Sequence, residues 1–453
     1  MESNTPNPRR ALFKKLFQEL RKAHRAGGFQ TGPTGFPLLF SVGSGKVIPV
    51  TEVALQTIEL LVIDLWETVP YIHQITNRAE FRKIVHGGLG PMLDGFDLSA
   101  DRTKSADALD ANLVAHVETE FQRDFGSLEF AYGADLFGSG ATPTIEIGPV
   151  CFEPRAIWLE RQSTLKKISS VSSRRIKRAW SGKRLRKRKP SYEAAREDAV
   201  LRSVGTASYV CSVRTSGISQ AVAEDKGRTA ARVAITTVAL LWPTTSKTLE
   251  WMRLRYDGRP ISQDYVCFGE RGRWGASSGT SGLQHGLYVS EAAWTAGSDR
   301  HAYLFRVVGR SLTLLCDPVR TRPSKRLVLN FYHALWWYGA AAREADPLVA
   351  IVKFVAALEV LSAGEDRRGG DGRAGIMRLL KARLGIEKEQ IIFLGGKPTE
   401  ALVSEIYDSA RNRTIHGSNE RLFEDWTPLS AQAAAITRRC LLAAAKMLDG
   451  LSI

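Results

Sequence analysis

Cysteine is scarce in this chain: five in 453 residues, Cys151, Cys211, Cys267, Cys316 and Cys440, odd in number and without a short paired spacing. That argues against a disulfide framework or a zinc site of paired thiolates and fits a reducing, cytoplasmic setting. Long apolar runs are also missing, so no segment is expected to span or anchor in a membrane. The opening MESNTPNPRR is polar where a secretory signal needs its apolar region, and no secretion is expected. No acidic cluster suited to Mg2+ stands out, so no metal and no other cofactor is expected. Acid is absent from one stretch in particular. Between Lys166 and Lys189 there are twelve Lys and Arg residues and no Asp or Glu, which carries most of the net charge of +16.

Dense positive charge attracts polyanions, because each neutralised phosphate releases condensed counterions. Nucleic acid is the natural partner, with Lys183, Arg184, Arg186, Lys187, Arg188 and Lys189 as candidate phosphate contacts and Trp180 as a surface for a base to stack on. A solvated linker is the plainer reading of the same run.

The length allows two or three domains. Four segments are expected: an N-terminal α+β domain at 1–160, a basic linker or nucleic-acid-binding segment at 161–190, a middle α+β region at 191–320, and a helical domain at 321–453. In the first, Leu12, Leu16 and Leu20 suggest a basic amphipathic helix, and GSGK at Gly43 to Lys46 reads as a hairpin turn. It lacks the spacing and the Ser or Thr of a phosphate loop. TPTIEIGPVCFEPRAIWL alternates as strands do. Further on, Ala223 to Trp242 has helical character, LEWMRLRYDG, DYVCFGERG and HAYLFRVVGRSLTLL look like strands, and the glycine-rich stretch from Gly272 to Gly286 is expected to be a loop.

The helical segment is clearer. Arg326 to Glu344 can form one helix, and Pro347 opens a second that is apolar almost all round and so belongs at the centre of a bundle. Glu359 on that helix needs a partner. Ala374 to Gly385 forms a third, Thr399 begins a fourth that Gly417 ends, and Ala431 to Gly450 closes the bundle. The fourth helix carries EIYDSARNRTIHGS. On a 3.6-residue wheel Leu402, Val403, Ile406, Tyr407 and Ala410 share one arc, and Glu405, Asp408, Arg411, Asn412 and His416 share the other, facing away from the core.

An Arg followed by His after four to six residues is expected by chance roughly twice in such a chain. It occurs at Arg411–His416 and at Arg326–His333, where apolar neighbours indicate helix packing. FRKIVHGG, with Arg82 and His86, has too short a spacing to be a second site. What distinguishes the Arg411 match is Tyr407 one turn earlier, a polar Asn412 directly after the arginine, and Gly417 after the histidine.

With Ala357, Leu358, Glu359 and Leu361 on the preceding central helix, this pattern resembles the HEPN family, and within it the ApeA-like group. The resemblance covers about residues 321 to 453. It implies an all-α HEPN helical bundle, so the whole chain is expected to be α+β: a mixed α+β N-terminal region followed by that bundle. It also implies a metal-independent endoribonuclease acting on RNA, tRNA included, as an anti-phage, abortive-infection effector. Non-catalytic nucleic-acid or protein-binding HEPN modules and toxins held by an antitoxin are the alternatives, and a phage-derived trigger or an antitoxin is a further partner that the resemblance allows. In the catalytic reading His416 acts as base or acid, Arg411 binds phosphate oxygens, Asn412 orients the imidazole or donates to phosphate, and Glu359 and Asp408 hold Arg411. Each carboxylate also has a simple ion-pair reading. One motif supplies one histidine, so a homodimer or larger even oligomer is expected, with Trp336, Trp337 and Tyr338 on the first bundle helix offering either a pairing face or a surface that packs against the upstream region.

Overall fold

Pro8–Arg25 and Glu52–Thr68 form the first helices of the chain, and their apolar positions repeat at helical spacing. In the computed structural model the described residues are 8–25, 31–32, 35–68, 72–94, 102–140, 142–257, 265–268, 274–277, 286–317, 325–365 and 372–451. They fall into two compact units: Met1–Leu128 with Thr215–Asp225 and Asp317–Val319, and Glu129–Arg214 with Lys226–Cys316 and Arg320–Ile453. The fold is α+β with a helical C-terminal region.

The first unit is mainly helical. Phe13, Leu16, Phe17 and Leu20 bury one face of Pro8–Arg25 in a core shared with Ile58, Leu61, Phe81, Val85 and Leu113. GSGK is the turn of an antiparallel hairpin, Leu39–Gly43 with Lys46–Pro49, in which Gly43, Ser44 and Gly45 all take positive φ. The expected boundary at residue 160 is therefore displaced to about residue 128, because the strands from 145 onward belong to the second unit.

That second unit is built on a five-stranded sheet in the order Ile145–Ile147, Val150–Pro154, Tyr209–Thr215, Leu128–Asp135, Arg253–Leu254. Alternation along Tyr209–Thr215 sorts side chains to the two faces. Tyr209, Cys211 and Val213 enter the large core, whereas Val210 joins a small one with Trp158, Leu159, Ile168, Ile176 and Val204. The basic segment covers this second face. Ser170–Trp180 is a helix, capped by Ser169 Oγ accepting from the Ser172 N–H at 3.2 Å, and Ile176 is fully buried. The expected linker at 161–190 is thus half folded into the unit, and only the stretch after Trp180 runs as an exposed connection to the helix Tyr192–Val204.

The large core runs without a break from Phe152 and Val213 on the sheet through Ala234 and Val238 of the helix Gln220–Ala239 to Phe354, Val355 and Leu441 in the C-terminal helices. The regions expected as separate segments at 191–320 and 321–453 therefore share one interior. HAYLFRVVGRSLTLL is the helix Ala302–Cys316, not a strand. Its buried positions Leu304, Val307, Val308, Ser311 and Leu312 repeat at three and four, the helical period that its β-branched residues mask. LEWMRLRYDG holds only the two-residue strand Arg253–Leu254; its first three residues are the end of the helix Thr245–Trp251. Most of the Gly272 to Gly286 stretch lies outside the described residues.

Five further helical stretches complete the unit: Lys325–Ala342, Pro347–Glu365, Gly372–Leu384, the stretch from Thr399 to Ile415, and Thr427–Gly450. Gly385 (φ 65°) and Gly417 (φ 69°) end two of them in the left-handed region. The last helix begins at Thr427, four residues before the sequence expectation, with Pro428 in its first turn. Tyr338 is 1 % exposed, packing on Phe354 with ring centroids 5.5 Å apart, and Trp337 packs against the same core. Of the two readings of the aromatic triplet, a pairing face or packing on the upstream region, Trp337 and Tyr338 follow the second, and Trp336 stays 38 % exposed. Among the described residues no helix is long and apolar enough to cross a membrane.

Candidate functional site

The motif helix is α-helical over Thr399–Ser404 and Arg413–Ile415, but between them Glu405–Asn412 is a π-helix. Its hydrogen bonds reach five residues back instead of four, a wider turn that recurs at functional sites. Leu402, Val403, Ile406 and Ala410 are buried as the wheel requires. Tyr407, which the wheel places with them, is only half-buried, and its phenol belongs to the polar cluster.

Glu359, projecting from the central helix Pro347–Glu365, is where that cluster converges. Tyr407 Oη donates to its Oε1 at 3.0 Å and Arg411 Nη2 to its Oε2 at 3.2 Å. Arg411 Nη1 donates to Asn412 Oδ1 at 2.8 Å, and the Arg411 guanidinium stands over the Tyr407 ring, 5.2 Å from its centroid. Arg411 and Glu359 keep 24 % and 28 % of their side-chain surface exposed, so this is a partly solvated ion pair of modest energy that fixes orientation. Burial and then the Glu359 charge raise the Tyr407 phenol above its ordinary value, which keeps it a neutral donor. Gly372 makes room for it. A Cβ there would stand 1.8 Å from Tyr407 Oη.

Asp408, expected beside Glu359 as a holder of Arg411, is engaged elsewhere: its Oδ2 accepts from Arg373 Nη1 at 3.1 Å and from Ser404 Oγ at 2.8 Å. The two carboxylates, on different helices, hold different arginines. His416 is exposed at the helix end, its N–H donating to the Asn412 carbonyl at 3.0 Å. Among the described residues its ring has no hydrogen-bond or ion-pair partner. The chain beyond it is tied down by buried Asn419, whose Nδ2 donates to Thr414 Oγ1 at 3.0 Å, and by Trp426 Nε1 donating to the Arg421 carbonyl at 2.9 Å. On this rim Ile415, Leu422 and Phe423 are exposed apolar side chains, Phe423 completely so.

Arg411, Asn412 and Glu359 are therefore brought together, His416 lies free at the next turn, and Asp408 is apart. Sequence reasoning missed the role of the Tyr407 hydroxyl. The signal for it was present: a tyrosine one turn before the arginine, opposite a central helix with an otherwise unpartnered carboxylate. The other two Arg–His neighbourhoods are different. His333 is exposed on Lys325–Ala342, and His86 Nε2 lies 3.3 Å from Glu59 Oε1, which Arg82 also holds.

In the basic stretch, Lys183, Arg184, Arg186, Lys187 and Lys189 are exposed and form no ion pair among the described residues. Arg188 is committed to the fold. It donates to Glu193 Oε2 at 2.6 Å, to buried Glu197 Oε2 at 3.1 Å and to Ser172 Oγ at 3.2 Å. Trp180 packs against the small core under the Arg155 guanidinium, 5.1 Å from its ring centroid, so one face is already covered. If this stretch tracks phosphates, neutralising the five exposed cations should lower the salt dependence of RNA binding by roughly one unit of slope for each phosphate left without its cation. Arg188→Gln should leave that slope in place and lower the melting temperature instead. Filter-binding titrations over a salt series separate the two, and an unchanged slope for the fivefold variant would make the stretch a solvated connection.

No family model, curated protein or solved structure matches the chain.

Proposed function

We propose that this chain is a metal-independent endoribonuclease of HEPN type, an anti-phage effector of the cytoplasm, with Arg411, Asn412 and His416 as its catalytic residues. The observation that carries the reading is the state of the two charged groups: Arg411 is oriented on three sides by Glu359, Asn412 and Tyr407, while His416 is exposed and unpartnered. Transition-state stabilisation asks for a preorganised cation, and proton transfer asks for a free imidazole.

RNA carries its own nucleophile. The 2'-hydroxyl attacks the adjacent phosphorus, the 5'-oxygen leaves, and the products are a 2',3'-cyclic phosphate and a 5'-hydroxyl. His416 takes the 2'-hydroxyl proton or supplies one to the 5'-oxygen, and the Arg411 fork neutralises charge on the phosphorane. Glu359 and Tyr407 are positioning residues. The test is direct: purified protein incubated with total RNA in EDTA should give fragments with cyclic-phosphate ends. Cleavage that needs added Mg2+, or fragments ending in 3'-hydroxyls, would overturn the mechanism.

One imidazole serves one of two proton transfers, so two copies of the motif form the working site. The exposed Ile415, next to His416, and Leu422 and Phe423 in the stretch that follows it supply apolar surface for this pairing. Light scattering coupled to size exclusion should give a dimer or a larger even assembly, and Phe423→Asp should shift it towards monomer with loss of cleavage. A monomer that cleaves RNA at full rate would refute the shared site.

A further inference from the structure

The basic stretch between the helices Ser170–Trp180 and Tyr192–Val204 is neither helix nor strand, yet the fold holds it at definite points. Arg175 Nη2 donates to the Arg186 carbonyl at 3.0 Å. Two residues on, Arg188 turns inward to Ser172, Glu193 and Glu197, while Lys187 and Lys189 on either side of it are exposed. Glu197, only 3 % exposed, is shared by Arg175 and Arg188. Glu193 and Glu197 are thus both engaged in anchoring the stretch and do not neutralise its outward lysines and arginines. Like charges held side by side repel one another. A pinned row of them is a preformed track for a polyanion, where a plain connection would be free to spread its charges apart.

An aromatic ring stands at the end of this track. Tyr192, three residues after Lys189, is 79 % exposed. Its backbone is fixed as the first residue of a helix capped by Ser191, whose Oγ accepts from the Ala194 N–H at 3.1 Å. The Arg196 guanidinium lies over one face of the ring, 4.9 Å from the centroid, and is itself tied to the Lys167 carbonyl. With so much of the residue exposed, the other face is open. Trp180, the aromatic that the sequence offers for stacking, is half-buried in the small core, so Tyr192 is the ring that a ligand can reach. Three residues of chain span at most about 11 Å, so a strand with a base on this ring passes its phosphates beside Lys187 and Lys189.

We propose that this ridge binds a single-stranded polynucleotide, with phosphates along Lys183, Arg184, Arg186, Lys187 and Lys189 and an unstacked base lying on Tyr192. A row of cations beside an exposed aromatic is the chemistry that holds single strands without reading their sequence. A duplex keeps its base faces inside the stack and can offer this ring none of them. The proposal builds on the phosphate reading of the stretch and is independent of the ribonuclease reading, because binding here needs no 2'-hydroxyl and no turnover.

Fluorescence anisotropy of the full chain tests it with three probes: a thymidine 12-mer, a tetrahydrofuran abasic 12-mer that keeps the phosphates without the bases, and a 12-base-pair duplex. The thymidine strand has no 2'-hydroxyl to cleave, so its binding is read whatever becomes of the nuclease assignment. It should bind about fivefold or more tightly than either of the others. Tyr192→Ala should remove that advantage, leaving the abasic affinity, the salt slope and the melting temperature as they were, and Tyr192→Phe should keep it. A uridine 12-mer is compared with the thymidine 12-mer in the His416→Ala chain. Binding about tenfold tighter identifies RNA as the source, and equal affinity identifies single strands of either sugar. The proposal is overturned if the thymidine strand does not bind, if the abasic strand or the duplex binds as tightly, or if Tyr192→Ala leaves the affinity for the thymidine strand unaltered.

Discussion

His416→Ala is expected to lower RNA cleavage by about 10²–10⁴-fold, the range lost when a general acid or base is removed, while the thermal unfolding profile stays where it was. The second half of that expectation follows from exposure: His416 lies on the surface at the helix end, so its removal opens no cavity in the core. Arg411→Ala is expected to cost about 10²–10³-fold, as loss of a preorganised charge at a developing oxyanion does. Arg411→Lys restores the charge but not the planar fork that reaches Glu359 and Asn412 together, so it should recover only part of the rate. Single-turnover rates on a defined RNA, with melting curves for each variant, check all three. Wild-type rates in His416→Ala would remove the assignment of the site.

Phe354→Ala is expected to destabilise the second unit by about 3–5 kcal/mol, the usual cost of emptying a buried phenylalanine site. Phe354 is 1 % exposed on the helix Pro347–Glu365, against Tyr338 on one neighbour and within the core that continues to the sheet. Because that core is continuous, the loss should appear in one transition that carries sheet and bundle together. Denaturant titration followed by near- and far-ultraviolet circular dichroism tests this. A loss below about 1 kcal/mol, well short of what a core site gives, or two separate transitions for bundle and sheet, would show that they do not share one interior.

Several features of this chain follow from local sequence alone. The run after Pro347, apolar almost all round, fixes a central helix because nearly every face of it has to leave water, and Gly385 and Gly417 end their helices because they take backbone angles other residues avoid. The GSGK turn and the burial of Leu402, Val403, Ile406 and Ala410 were equally legible. Glu359 declared its need for a partner by its position, though not which partner. Tertiary structure decided the rest. A 3.6-residue wheel cannot foresee the π segment at Glu405–Asn412, where Tyr407 turns to Glu359 and Asp408 to Arg373. Nor can local charge tell Arg188, bound to buried Glu197, from its free neighbours, since that partner becomes a neighbour only once the helix Tyr192–Val204 folds back. The boundary near residue 128 and the common core of sheet and bundle depend on packing between residues far apart in the chain. Periodicity records which face of an element is apolar, and only packing determines what that face meets.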